Sequence, residues 1–354
     1  MPLCFAGKQG DFVLRFELTR TEVSDVQRVV DDLAQRYTTV EDERFHAEAL
    51  VHAQELPRRL RRAIIDYRTG EASGSFVLSG FPVDDPALGE TPADWRNKPN
   101  PTATTRYDLM FYLVGSLLGE PVGWGTQQDG LLMHDVFPIK DFRDDQIGWG
   151  SEQPLVWHTE DAFHPLRADY LGLMCLRNPD GVETTAADIA DVKLDEETRA
   201  NLFQERYFIL PDDSHRPQAW AEEELADPRL VRLLAQSRDR VERALDSPQP
   251  VPVLFGAEDD PYLCLDPHYM QGVQGEREQA DLDKIGNAID EAMSGVVLRP
   301  GDVLFIDNYR MVHGRKPFQA RYDGTDRWLR RLNITRDLRK SRHARLTAAS
   351  RVIY

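Results

Sequence analysis

Apolar residues early in the chain recur at three- and four-residue spacing. Val23, Val26, Val29, Val30 and Leu33 share one side of a 3.6-residue period and predict a helix over residues 19–37, capped by Thr21 or Ser24. Ala47, Leu50, Ala53, Leu56, Leu60 and Ile64 make a second stripe and predict a helix over 43–67, with Pro57 as a kink. Residues 12–17 alternate as a short strand, and 74–83 form an apolar strand bounded by Gly and Pro. A polar, Pro- and Asn-rich connection over 84–104 leads to a strongly apolar helix over 107–118.

Beyond residue 119 the pattern shortens. Residues 119–130, with Gln127 and Gln128, read as loop, and so does the Asp- and Gly-rich stretch 137–153; long loops inside a compact domain usually carry function. The Leu155-Val156-Trp157 run before His158 favours a strand, and 170–176 is a nearly continuous apolar strand. Residues 186–203, 228–245 (capped by Asp227, with Pro228 in the first turn) and 281–293 read as helices. Short strands are expected at 251–255, 262–265, 296–298, 303–306 and 328–334. The predicted fold is mainly β with flanking helices, a double-sheet core. We expect a single domain over 1–354, with a mainly helical layer over 1–75, a core over 76–345 and a helical insert over 186–250.

Composition narrows the function classes. The chain has 354 residues, 41% hydrophobic and 29% charged, with a formal charge of −17. That field repels phosphate backbones and anionic lipid, so nucleic acid and membranes are not expected partners, whereas a small cationic substrate is welcome. Cys4, Cys175 and Cys264 are odd in number and lack CxxC spacing, which argues against a disulfide framework or a zinc knuckle. Residues 1–10 lack the pattern of a leader, and no apolar run has the length of a membrane helix, so the cytosol is the expected compartment. These features leave oligomeric state open.

The candidate chemistry sits in a few stretches. His158 and Glu160 lie two apart, and on a strand they would share a face. With a second His from elsewhere they would make the two-His, one-carboxylate set that holds Fe(II) and leaves positions open. His313, after the 303–306 strand, can supply it. In 327–334, Arg327, Leu329, Arg331 and Asn333 share one face, and Trp328, Arg330, Leu332 and Ile334 the other. Arg327 and Arg331 pointing inward would need carboxylate ligands. Arg330 reads as part of a solvated basic edge, with Arg336, Arg339, Lys340 and Arg342 around it. Glu183-Thr184-Thr185 reads as turn chemistry with spare hydroxyls.

In this order the stretches resemble the clavaminate synthase-like branch of the Fe(II)- and 2-oxoglutarate-dependent dioxygenases, most of all the free L-arginine β-hydroxylases of peptide-antibiotic pathways. The resemblance covers most of residues 76–345. It is carried by His158-Thr159-Glu160 with Ala162-Phe163, by Arg177 with Thr184 downstream, by the run from Gly301 to Asn308 leading to His313-Gly314-Arg315, and by residues 318–331. It implies a double-stranded β-helix, or jelly roll, with His158, Glu160 and His313 as catalytic iron ligands. Arg327 would grip the distal carboxylate of 2-oxoglutarate, with Thr184 or, one register away, Thr185 as hydroxyl helper. Arg331 would hold the substrate carboxylate, and Gln127 or Gln128 with Glu160 would lie near its amino group. Asp266 stands where relatives taking cationic side chains carry acids two residues apart; here the second position is His268.

The expected activity is hydroxylation of a free amino acid, arginine first, at an unactivated carbon, with Fe(II) as cofactor and 2-oxoglutarate and O2 as cosubstrates. Citrulline, lysine or a cyclic guanidino amino acid are alternatives, as is desaturation by the same site. A zinc-dependent hydrolase would use the same three ligands but leave Arg327 and Arg331 without a role.

Overall fold

Thr19, not Thr21 or Ser24, caps the first helix, Arg20–Arg36. Its hydroxyl accepts from the Glu22 N–H at 3.3 Å, and the Glu22 carboxylate accepts from the Thr19 N–H at 2.9 Å, a reciprocal capping box. This computed structural model describes residues 13–98, 100–213, 215 and 227–354; Phe12, Cys4 and the stretch 1–10 lie outside them. The second expected helix is two, Glu43–Ala53 and Arg58–Gly70. Pro57 lacks an N–H to continue the ladder and stands at the N-cap of the second. The break resets the phase of burial. Phe45, His46, Ala49 and Ala53 face inward in the first helix and leave Leu50 exposed, while Leu60 and Ile64 are buried in the second as expected.

Eight strands form the large sheet, in the order Val13–Glu17, Ser75–Ser79, Val303–Asp307, Tyr170–Arg177, Trp328–Thr335, Glu120–Trp124 and Val352–Ile353, with Met133–Val136 also paired to Trp328–Thr335. The small sheet runs Ser294–Val297, Glu183–Asp188, Met311–Arg315, Leu155–His158. The sheets share an apolar cluster that includes Leu171, Leu173, Ala186, Leu304, Met311 and Leu329. The helical layer packs on the other face of the large sheet through residues such as Phe45, Leu60, Phe111, Phe305 and Leu332. Helix Glu276–Ala292 lies outside the small sheet, with Ile285 and Ile289 clustered with Ala187 and Val312. This double-sheet core flanked by helices is the jelly-roll arrangement.

Three expectations fail for physical reasons. Residues 183–188 are a strand, not a turn leading into a helix; pairing with Met311–Arg315 on one side and Ser294–Val297 on the other overrides the helix preference of Ala186 and Ala187. Helix follows only at Glu196–Leu202, capped by Asp195. Residues 119–130 contain the strand Glu120–Trp124, hidden in sequence by Pro121 and Gly123; Gly123 is required because a Cβ would stand 2.5 Å from the Leu131 carbonyl oxygen.

Arg330 is not on a solvated edge. Its strand is interior, between Tyr170–Arg177 and the Glu120–Trp124 and Met133–Val136 strands. The guanidinium is 3% exposed and forks onto Asp108 from helix Thr105–Ser116, Nε to Oδ1 at 2.7 Å and Nη2 to Oδ2 at 3.1 Å. Nη1 meets Asp135, whose other oxygen meets Lys98. Among the described residues no helix is long and apolar enough to cross a membrane.

Candidate active site

His158 and His313 stand directly opposite each other on neighbouring antiparallel strands of the small sheet. Glu160 joins them by a different route from simple alternation. The strand ends at His158, and Glu160 lies in the turn beyond, just before Asp161 at φ 51°. Asn308 fixes that turn: its Oδ1 accepts from the Glu160 N–H at 2.8 Å, and its Nδ2 donates to the carbonyls of Glu160 (3.0 Å) and Ala168 (2.9 Å). The result places Glu160 Oε2 3.6 Å from His158 Nε2 and 3.4 Å from His313 Nε2.

The protonation pattern suits a cation. Burial opposes charge on Glu160, but Arg331 and the two imidazoles outweigh it and hold the carboxyl well below the usual range. Burial pulls His313 down, so its ring is neutral. Burial also opposes charge on His158, but Glu160 and Asp266 prevail and push it up to about 9, a proton that a bound metal would displace. His158 Nδ1–H donates to the Val156 carbonyl at 2.9 Å, which leaves the Nε2 lone pair for the centre of the cluster. One anionic oxygen and two imidazole nitrogens within 4.8 Å of one another are a donor set fit for Fe(II) with open positions.

Arg327 is 6% exposed, and its hydrogen-bond partner is Thr184 Oγ1 at 3.4 Å; its Nε has none among the described residues. Arg315 beside it spends its donors on backbone carbonyls of Gln153, Lys316 and Gly150. Neither guanidinium has a carboxylate partner among the described residues, and burial pulls both below the usual arginine range. A buried cation without an anion is costly, so this corner fits a dicarboxylate ligand such as 2-oxoglutarate. Of the two threonines, Thr184 is buried against Arg327, and Thr185 lies on the opposite face of its strand.

Arg331 is held by three acceptors. Nη1 donates to Glu160 Oε1 at 2.6 Å, and Nη2 to Gln127 Oε1 at 2.6 Å and His134 Nδ1 at 2.7 Å. Gln128 is turned away, its amide bonded at both ends to the backbone of Asp135 at 3.0 Å. Asp266 is buried, with Oδ1 accepting from the N–H groups of His268 (3.1 Å) and Tyr269 (3.3 Å). Burial pushes its carboxyl pKa up, and Asp212 adds to the rise. The half-buried His268 ring meets Tyr269 edge-on at 4.8 Å.

Sequence reasoning missed Asn308, His134, Asp212 and His215. The last donates from its ring to Asp161 at 2.8 Å, next to Glu160, and the backbone N–H of His215 bonds to the Asp212 carbonyl. Asn308 and His134 were legible only through the strands that present them. Asp212 and His215 sit in a segment without periodicity and gave no signal.

Residues 108–333 match the family described as taurine catabolism dioxygenase TauD, TfdA family. The chain is 63% identical over 342 residues to an enduracididine beta-hydroxylase of Streptomyces hygroscopicus, covering 97% of this chain and 100% of that one. It is 42% identical over 342 residues to an L-ornithine/L-arginine 3-hydroxylase of Catenulispora acidiphila, covering 96% and 99%. A crystal structure of the non-heme iron oxygenase OrfP with Fe, succinate and (3S)-hydroxy-L-Arg superposes with a TM-score of 0.87 at 41% identity, over 96% of this chain and 99% of that one. OrfP is also known with Fe and alpha-ketoglutaric acid, at a TM-score of 0.82 and 39% identity over 96% and 100% of the two chains.

Proposed function

The chain belongs to the TauD/TfdA dioxygenase family, and on that premise we propose that it hydroxylates the side chain of a free guanidino L-amino acid, L-arginine first, at the carbon next to the α-carbon. It is an iron(II)- and 2-oxoglutarate-dependent oxygenase. We take residues 1–354 as one such domain, serving specialised, antibiotic-type metabolism.

His158, Glu160 and His313 would hold the iron, and Arg327 with Thr184 would take the distal carboxylate of 2-oxoglutarate. The bound iron supplies the oxidising chemistry, in which O2 and 2-oxoglutarate give succinate and CO2 and one oxygen atom enters a C–H bond of the substrate. The protein's part is orientation. Arg331 would receive the substrate carboxylate, and Gln127 and Glu160 flank that guanidinium where the amino group would lie. Asp266, with Asp212 near it, would meet the cationic far end. The observation that carries the reading is the pair of guanidinium groups, Arg327 buried just before the Trp328–Thr335 strand and Arg331 half-buried on it: among the described residues Arg327 has no carboxylate partner and Arg331 has only Glu160.

A cyclic guanidino amino acid is the second reading. It is favoured by the 63% identity to the enduracididine enzyme. Incubation of the iron-loaded protein with 2-oxoglutarate, O2 and L-arginine, enduracididine, lysine or citrulline decides between them. Succinate and a product one oxygen atom heavier should form with a guanidino amino acid; release that ignores the amino acid would sink the assignment. Asp266→Asn should reduce turnover of cationic substrates steeply and spare citrulline, because the acid leaves a buried charge to be paired. An unchanged preference would move the side-chain pocket elsewhere.

A further inference from the structure

His134 is buried in the strand Met133–Val136 and directly faces Arg331 across the antiparallel ladder. Its Nε2 lies 2.9 Å from the Leu131 carbonyl oxygen, which can only accept, so Nε2 carries the proton and Nδ1 presents a lone pair. That lone pair meets Arg331 Nη2 at 2.7 Å. Burial and the neighbouring guanidinium keep the ring neutral. With Gln127 Oε1 on the same nitrogen, both N–H groups of Nη2 are taken. Glu160 takes one N–H of Nη1. What remains is the other N–H of Nη1 and the Nε–H, which is buried with no hydrogen-bond partner among the described residues.

We propose that His134 is a positioning residue for substrate recognition: its ring holds the Arg331 guanidinium in one orientation and leaves an unclaimed N–H and the positive charge for the carboxylate of the amino-acid substrate. This rests on the reading that Arg331 receives that carboxylate. The choice of imidazole follows from charge. Arg331 already faces one anion, Glu160. A second carboxylate at position 134 would over-neutralise the guanidinium and repel the incoming carboxylate, whereas an apolar residue would leave Nη2 with an unpaired N–H and the guanidinium free to turn. A neutral acceptor fixes the direction and leaves the charge available.

The test compares L-arginine with agmatine, which has the same guanidino end and no carboxylate. Dissociation constants are measured by calorimetry, without oxygen, on the iron(II)- and 2-oxoglutarate-loaded protein. Wild type should prefer arginine. His134→Leu should narrow the arginine-to-agmatine ratio at least ten-fold, through weaker arginine binding, with 2-oxoglutarate affinity unchanged. His134→Asn should restore most of the ratio, because Asn Oδ1 occupies nearly the place of His Nδ1. A merely structural residue would weaken both ligands together and leave the ratio alone. If His134→Leu does not fold, His134→Ser, polar but too short to reach the guanidinium, takes its place. A wild-type ratio in the Leu or Ser variant overturns the proposal, and so does an Asn variant as poor as Leu. Wild type that binds no arginine overturns the underlying substrate reading before any substitution is made, and this inference with it.

Discussion

The two faces of the Trp328–Thr335 strand treat arginine in opposite ways. On the helix side, Arg330 is closed off by Asp108 and Asp135, with Lys98 completing the cluster. Its first-order surroundings are anionic, and they push the guanidinium pKa up against burial. On the other side, Arg327, the residue just before the strand, is also buried; its hydrogen-bond partner among the described residues is a threonine hydroxyl, and burial pulls its pKa down. Sequence alone separates the two faces but places Arg330 on a solvated edge, not among buried carboxylates. The difference teaches that a buried guanidinium is structural when the protein supplies the carboxylates and is a binding site when it does not. Arg331 falls between, sharing Glu160 with the two imidazoles.

The largest effect should come from removing the anion that both roles share. Glu160→Ala should abolish turnover and weaken iron binding, because two neutral imidazoles lack the charge and the third donor. Succinate formation near the wild-type rate would refute the iron site, and with it the contrast drawn from Arg331. Next, Arg330→Ala strands two buried carboxylates. Loss of one partner from a buried pair costs about 3–5 kcal/mol, read as a lower denaturant midpoint, while the folded fraction should keep its 2-oxoglutarate requirement. Arg327→Ala should do the reverse. Stability should stay level or rise, since an uncompensated charge is removed, and the 2-oxoglutarate requirement should climb roughly 30- to 1,000-fold for about 2–4 kcal/mol of lost charge-assisted bonding. A destabilised Arg327→Ala, or an Arg330→Ala that stays stable, would erase the distinction between the faces.

The contrast was partly visible in the sequence. Alternation assigned Arg327, Leu329 and Arg331 to one face and Trp328, Arg330 and Leu332 to the other, and the packing agrees: Leu329 lies between the sheets, Trp328 and Leu332 under the helices. What alternation cannot give is the identity of the partner strand or helix. Asp108 reaches Arg330 from a helix far back in the chain, so the pairing was illegible and a solvated edge looked natural. His134 and Gln127 were hidden for a related reason. Pro121 and Gly123 masked the strand that leads to Gln127, and the short Met133–Val136 strand, which carries a His and an Asp, drew no assignment between the two expected loops. Glu160 was found by a spacing argument whose premise was incomplete: it lies past the strand end, and Asn308 rather than β pleating sets its direction.

The smallest predicted effect tests the open corner most finely. Among the described residues Thr184 is the one side chain within hydrogen-bond distance of Arg327, and the bond is long at 3.4 Å. If the corner were a closed structural pair, Thr184→Val would leave a guanidinium with no partner and lower stability. If the corner waits for a carboxylate, the hydroxyl serves the ligand, and its loss should leave stability nearly level because valine keeps the shape and the strand preference. The 2-oxoglutarate requirement should then rise by about 0.5–1.5 kcal/mol, roughly two- to twelve-fold, with the amino-acid requirement unchanged. Thr185→Val, on the opposite face of the same strand, is the matched control and should move neither. Equal effects from both threonines, or a shift confined to the amino acid, would detach Thr184 from the cosubstrate and leave Arg327 alone in that role.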